Sequence, residues 1–174
     1  MFRGTRLVAT LAILGGLFSP MVNANVETSR LRLFHTHTGE RIDVVFKRGG
    51  EYVPEAIAEL ETFLADFRNG ERRPFDPALF DLLAELNTSV GRQDAEFHVI
   101  SAYRSPETND FLRRTRKGVA EKSLHLEAQA IDIRLPGTNT QRLRDAALAL
   151  GKGGVGYYRR SNFIHVDTGR VRRW

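Results

Sequence analysis

An aspartate stands between two isoleucines at Ile131-Asp132-Ile133, and a histidine stands between Ile164 and Val166. Both runs read as short strands, because successive side chains of a strand point to opposite faces. Ile131, Ile133 and Leu135 then share one face, and Asp132 points to the other with Ala130 and Arg134. Ile164 and Val166 likewise share a face, and His165 points away from them with Phe163 and Asp167. The chain must therefore build a sheet that is aliphatic on one side and presents a carboxylate and an imidazole on the other.

A third polar residue joins this pair. His125 follows a segment containing Gly118 and Lys122, which predicts a loop. Two histidines and a carboxylate from separate elements match an open zinc site, which has three protein ligands and leaves a fourth position for water. The competing reading makes these residues satisfied polar groups of the core. An aspartate between isoleucines needs a charge partner if buried, and zinc supplies one. The 174-residue chain has no cysteine. Disulfides and thiolate sites are excluded, so any metal is held by His, Asp and Glu, which favours zinc or a similar imidazole-accepting ion.

The chain length suits one domain. Residues 1–24 read as a secretory signal peptide: Arg3 and Arg6 lead an apolar run from Leu7 to Phe18, and Val22-Asn23-Ala24 offers a small-residue cleavage site. The alternative is an uncleaved anchor, the only expected contact with a membrane. Residues 25–174 form the predicted domain, exported to the periplasm or cell envelope. The formal charge of +5 is scattered, apart from a small group at Arg170, Arg172 and Arg173. No basic block interleaved with aromatics is present, so nucleic acid is not an expected partner. A basic surface of this kind suits another anionic polymer.

The remaining elements follow from periodicity and punctuation. Residues 30–46 predict a hairpin turning at Thr38-Gly39-Glu40. His35 and His37 near its turn read as the polar end of a strand rather than as ligands. Helices are expected from Pro54 to Phe67 and from Pro77 to Leu86, the second capped by Asp76. Residues 96–102 read as a strand, with His98 packed or at an edge. A third helix starts after Ser105 as cap, and Tyr103-Arg104 sits at that junction, where functional side chains are often mounted. Thr140 is expected to cap a fourth helix ending at Gly151. Gly153-Gly-Val-Gly-Tyr-Tyr158 reads as a strand or turn whose glycines permit close backbone approach.

Ser123-x-His125-x-x-x-x-Ala130-x-Asp132, followed by His165, resembles the motif of the zinc D-alanyl-D-alanine peptidases and their hedgehog-like relatives. Ser101-Ala-Tyr-Arg-Ser-Pro-Glu-Thr-Asn109, the glycine-rich run, His165-Val-Asp-Thr-Gly169 and Arg173-Trp174 are similar to the murein endopeptidase branch of that group. The resemblance covers about residue 30 to the end. It implies an α+β fold, a small single domain with a mainly antiparallel sheet flanked by helices. It implies Zn2+ held by His125, Asp132 and His165, and the crosslinked stem peptides of peptidoglycan as substrate, cut after a D-centre or a diaminopimelate residue by a monomer. It further implies that Arg104 stabilises the developing oxyanion and that Ser123 helps to hold substrate.

Two departures stand out. The family glycine is Ala128 here, which predicts ordinary backbone angles. The acid that several relatives carry three residues before the second histidine is Asn162, which cannot act as a base. Asp167 is then either the general base or an orienter of His165, with Glu127 and His37 as weaker candidates for the base. The missing acid also supports an alternative function, a non-catalytic zinc-containing domain that binds peptidoglycan.

Overall fold

The computed structural model describes residue 1, residues 26–116 and residues 118–174. The expected signal peptide falls, but for its first residue, outside the described residues. Among them no helix is long and apolar enough to cross a membrane.

The chain opens with β1 (Thr28–His35) and β2 (Arg41–Arg48), an antiparallel hairpin as the alternation predicts. Leu31, Leu33 and His35 face inward from β1, and Ile42 and Phe46 from β2. A two-residue β3 (Glu51–Tyr52) follows, then α1 (Pro54–Phe63) and α2 (Ala78–Ser89). Next come β4 (Glu96–Ser101), α3 (Pro106–Thr115), β5 (Ala130–Arg134) and α4 (Thr140–Leu150). The chain closes with β6 (Gly154–Tyr158), a 3-10 turn at Arg159–Ser161, β7 (Phe163–Asp167) and β8 (Arg172–Arg173).

Among the described residues, the eight strands form one sheet in the order β3-β2-β1-β4-β5-β7-β6-β8. Only the pairs β1–β4 and β6–β8 are parallel, so the sheet is mainly antiparallel and the fold is α+β. α1 packs on β2, α2 on β1, and α4 on β6 and β7. Leu79, Leu83, Leu86 and Leu143 from these helices join Ile131, Ile133, Ile164 and Val166 in one core. The isoleucines flanking Asp132 are thus anchored from beneath, and Asp132 is held on the opposite face.

Four local expectations are corrected. α1 stops at Phe63 rather than Phe67, because Asp66 diverts the backbone: its Oδ1 accepts the Arg68 N–H at 3.1 Å and its carbonyl accepts the Gly70 N–H at 2.7 Å. Such local bonds compete with helix. α2 begins one residue later than expected and continues to Ser89; Asp76 still serves its first turn, accepting the Ala78 N–H at 3.0 Å. Asn139, not Thr140, caps α4 by accepting the Gln141 N–H at 2.8 Å. Ala128 does not have ordinary angles. Its φ is +52°, in the left-handed region that favours glycine.

Candidate metal centre

The register brings the site together. Asp132 of β5 lies directly opposite His165 of β7; His165 lies opposite Gly156 of β6, and Asp132 opposite Ser101 of β4. Directly opposed residues of an antiparallel pair share a face. Ser101, Asp132, His165 and Gly156 therefore form a row across four strands. His125 reaches this row from the turn 124–128, whose Ala128 N–H donates to the His125 carbonyl at 3.4 Å. The left-handed residue at 128 bends the chain back into β5.

Three atoms converge. His125 Nε2 lies 3.2 Å from Asp132 Oδ1 and 3.2 Å from His165 Nδ1, and His165 Nδ1 lies 2.9 Å from Asp132 Oδ1. A tetrahedral zinc with bonds of about 2.0–2.1 Å spaces its ligand atoms about 3.3–3.5 Å apart, so the triangle needs to widen only slightly to hold one ion. All three residues are buried. The other nitrogen of each ring meets an acceptor: His125 Nδ1–H donates to the Ala102 carbonyl at 2.6 Å, and His165 Nε2–H donates to Asp167 Oδ2 at 2.9 Å. Those bonds fix each tautomer so that the converging nitrogen carries the lone pair a metal requires.

The charges of the centre are interdependent. Burial would raise the Asp132 carboxyl, but His125 and His165 hold it well below the usual carboxylate range. Burial pushes the His125 imidazole down. Burial also opposes charge on His165, yet its bonds to Asp132 and Asp167 outweigh that and raise it.

Around this core the expected residues take distinct places. Arg104 donates through Nη2 to Asp132 Oδ2 at 2.8 Å and through Nε to Ser101 Oγ at 2.8 Å. It lines the same cleft of about 410 Å³ as Ser123, His125, Asp132 and His165. Ser123 Oγ also accepts the His125 N–H at 3.4 Å, which ties the turn to the cleft wall. Asp167 is fully buried and saturated. Its Oδ1 accepts the N–H groups of Gly154 and Gly169 at 2.9 Å and Arg172 Nη1 at 3.0 Å; its Oδ2 accepts His165 Nε2 at 2.9 Å and Arg172 Nη2 at 2.8 Å. A Cβ on Gly154 would collide with this carboxylate, which accounts for the glycine.

The remaining candidates lie elsewhere. Glu127 is exposed, pairs with Arg73 at 2.5 Å and borders a separate hollow. His37 is exposed and stacks on Phe67 at 4.3 Å; His35 is buried against Phe63 and Phe67. His98 packs edge-on to Phe34. Asn162 has φ +53° and accepts from Thr140 Oγ1, so it is a turn residue tied to α4.

Several contributors escape a reading of local pattern. Asp66 is buried and accepts the Ser105 N–H and Oγ–H, both at 2.9 Å, which pins the residue next to Arg104. Arg172 reads in sequence as one of a basic cluster, yet it closes the Asp167 network. Tyr158, Phe163 and Trp174 line the cleft. The family resemblance singled out the runs that end in Tyr158 and Trp174, but local pattern gave neither these residues nor Asp66 and Arg172 a place at the site.

The family model for the peptidoglycan L,D-endopeptidase MepK matches residues 23–174. The chain belongs to this family. The peptidoglycan L,D-endopeptidase MepK of Escherichia coli is 42% identical over 154 residues, covering 87% of this chain and 84% of the relative. The same figures hold for the MepK of Shigella flexneri. The probable peptidoglycan L,D-endopeptidase MepK of Haemophilus influenzae is 39% identical over 156 residues, covering 88% of this chain and 84% of the relative. Membership of the MepK family makes this chain a peptidase of a metal-dependent family, and His125, Asp132 and His165 form a group whose geometry could hold a metal ion.

Proposed function

We propose that this chain is a zinc peptidase of the cell envelope that hydrolyses peptide crosslinks of peptidoglycan. The observation that carries the reading is the buried triangle of His125 Nε2, Asp132 Oδ1 and His165 Nδ1, with both tautomers fixed. Membership of a family named for peptidoglycan L,D-endopeptidases supplies the substrate.

When bound, zinc supplies a Lewis acid for the scissile carbonyl and lowers the pKa of a water towards about 7. The chain's residues divide the remaining work. His125, Asp132 and His165 hold the ion, and the Ala102 carbonyl and Asp167 keep the two rings turned towards it. Arg104 stands beside Asp132 in the cleft, where its guanidinium can offset charge growing on the carbonyl oxygen. Ser123 offers a hydroxyl to the peptide from the opposing turn. Asp167 is the orienter of His165 rather than the general base. It lies on the Nε2 side of the ring, away from the converging nitrogens, and both of its oxygens are occupied.

The chain acts as a monomer after export by its leader, with residues 25–174 as the working domain. One observation favours the second reading, a zinc-containing domain that binds peptidoglycan without cutting it: among the described residues, Asp132 is the sole carboxylate lining the cleft. Incubating purified peptidoglycan with the zinc-loaded protein and identifying the products tests both. Conversion of crosslinked stem peptides into separate, uncrosslinked ones supports the endopeptidase. Loss of only a terminal residue makes it a carboxypeptidase. Sedimentation with peptidoglycan without any product supports the binding domain.

A further inference from the structure

A large aromatic side chain is suspended over the metal-ligand row by an absence in β6. Gly156 lies opposite His165. A Cβ placed on Gly156 would come within 2.7–2.8 Å of three atoms of the Trp174 indole, so a glycine here is what lets the ring lie down on the strand. The indole is held at several points. Its Nε1–H donates to Tyr158 Oη at 3.1 Å. The Arg172 guanidinium sits 4.9 Å from its centroid. Its backbone N–H donates to the Val155 carbonyl at 3.2 Å, and its carbonyl accepts the Tyr157 N–H at 3.0 Å. The ring centroid is then 5.1 Å from that of His165.

Fixing a tryptophan does not require leaving it exposed, yet Trp174 is 51% exposed and Tyr158 37%. Tyr158 stacks on Phe163 at 4.5 Å between centroids, and all three rings line the cleft that holds the metal ligands. Arg104, Lys122 and Ser123 line the same cleft and add polar and cationic groups to it. A cleft that combines rigid aromatic rings with cationic and polar groups fits a ligand that carries both aliphatic and ionised parts. A stem peptide has that character, with methyl and methylene groups beside carboxylates.

Resting on the peptidase reading above, we propose that Trp174, seated by Gly156 and joined by Tyr158 and Phe163, forms an aromatic wall that binds the aliphatic part of the stem-peptide residue next to the scissile bond. Trp174 is thereby a substrate-binding residue, and Gly156 a positioning residue that acts through it.

Trp174 is the only tryptophan of the chain, so its emission reports on this wall alone. Soluble crosslinked muropeptide titrated into the metal-depleted full chain should change that emission saturably. In the zinc-loaded protein, Trp174→Ala should raise KM about tenfold, the scale of losing one apolar contact surface, with kcat within about threefold and zinc content unchanged. Trp174→Phe should recover most of the KM. Gly156→Ala should reproduce the Trp174→Ala defect by displacing the ring. If Trp174→Ala does not fold, as judged by circular dichroism, Trp174→Leu replaces it and should show the same KM defect.

Constant emission at saturating muropeptide, or KM within twofold of wild type in Trp174→Ala, overturns the proposal. A defect confined to kcat and zinc content also overturns it, leaving the indole as a brace for His165. Wild-type protein whose emission responds but which cleaves nothing would keep the wall and overturn the peptidase reading. Cleavage indifferent to residue 174 would do the reverse.

Discussion

Asp132 and His165 face each other directly across β5 and β7, and their converging atoms stand 2.9 Å apart. This contact would let a carboxylate and an imidazole share one metal from two adjacent strands; of the proposed ligands only His125 arrives from a turn. Asp132→Ala should therefore remove zinc binding at micromolar concentrations and reduce turnover to background. His125→Ala and His165→Ala should do the same. Metal analysis of dialysed variants, alongside assays on peptidoglycan, checks this. Stoichiometric zinc retained in any of the three would remove that residue from the ligand set.

Asp167→Asn separates orientation from proton transfer. The variant keeps the shape but weakens the bond to His165 Nε2 and the pairing with Arg172. Zinc affinity should fall about tenfold to a hundredfold, while turnover at saturating zinc stays within about tenfold of wild type. A fall of a hundredfold or more with zinc affinity intact is the signature of a general base, and would return Asp167 to that role.

Asp66 links acid stability to the site. Burial alone would raise its pKa, but bonds from Thr108, Ser105 and Arg68 outweigh this and hold it below the ordinary value. A carboxyl depressed in the folded state contributes stability above its unfolded pKa, near about 3.9, and that contribution is lost as pH falls through the folded value. Melting temperature should therefore drop below about pH 4, and Asp66→Asn should flatten that drop. The same variant should cost about 1–3 kcal/mol at neutral pH and slow turnover, because Ser105 and its neighbour Arg104 lose their anchor. Thermal melts at several pH values, paired with assays, test both halves.

Ala128→Gly should alter stability by less than about 1 kcal/mol. Relief of a left-handed alanine returns about 1–2 kcal/mol, while the lost methyl burial and the greater freedom of glycine cost a similar sum. Ala128→Val, β-branched at the same φ, should be destabilising by more than about 2 kcal/mol. Urea unfolding of the two variants gives the comparison.

The difference between what pattern reveals and what it hides is visible in these residues. Asp132 and His165 were legible because strand alternation is local: two isoleucines on either side state which way the aspartate points. The individual strands and the apolar stripes of the helices were legible for the same reason, whereas the mainly antiparallel sheet was implied only by the family resemblance. Ala128 was misread because its φ is set by the need to return the chain from His125 into β5, which no property of alanine announces. α1 was read too long because Asp66 draws backbone groups away from the helix, and its partner Ser105 lies 39 positions onward. Trp174 over Gly156 was hidden because an absent side chain acquires meaning only when the neighbouring strand's contents are known.

The row of Ser101, Asp132, His165 and Gly156 also bears on how the chain proves it has folded correctly. Side chains of a strand alternate strictly, so a slip of one residue between β5 and β7 would turn either Asp132 or His165 into the aliphatic layer. The slipped sheet could keep most of its backbone bonds, yet it could not offer three converging donors. A divalent ion bound there would therefore discriminate between registers that the hydrophobic layer alone separates less sharply. Capture of a metal by the proposed ligands would select the correctly aligned molecules and leave the misaligned ones without it.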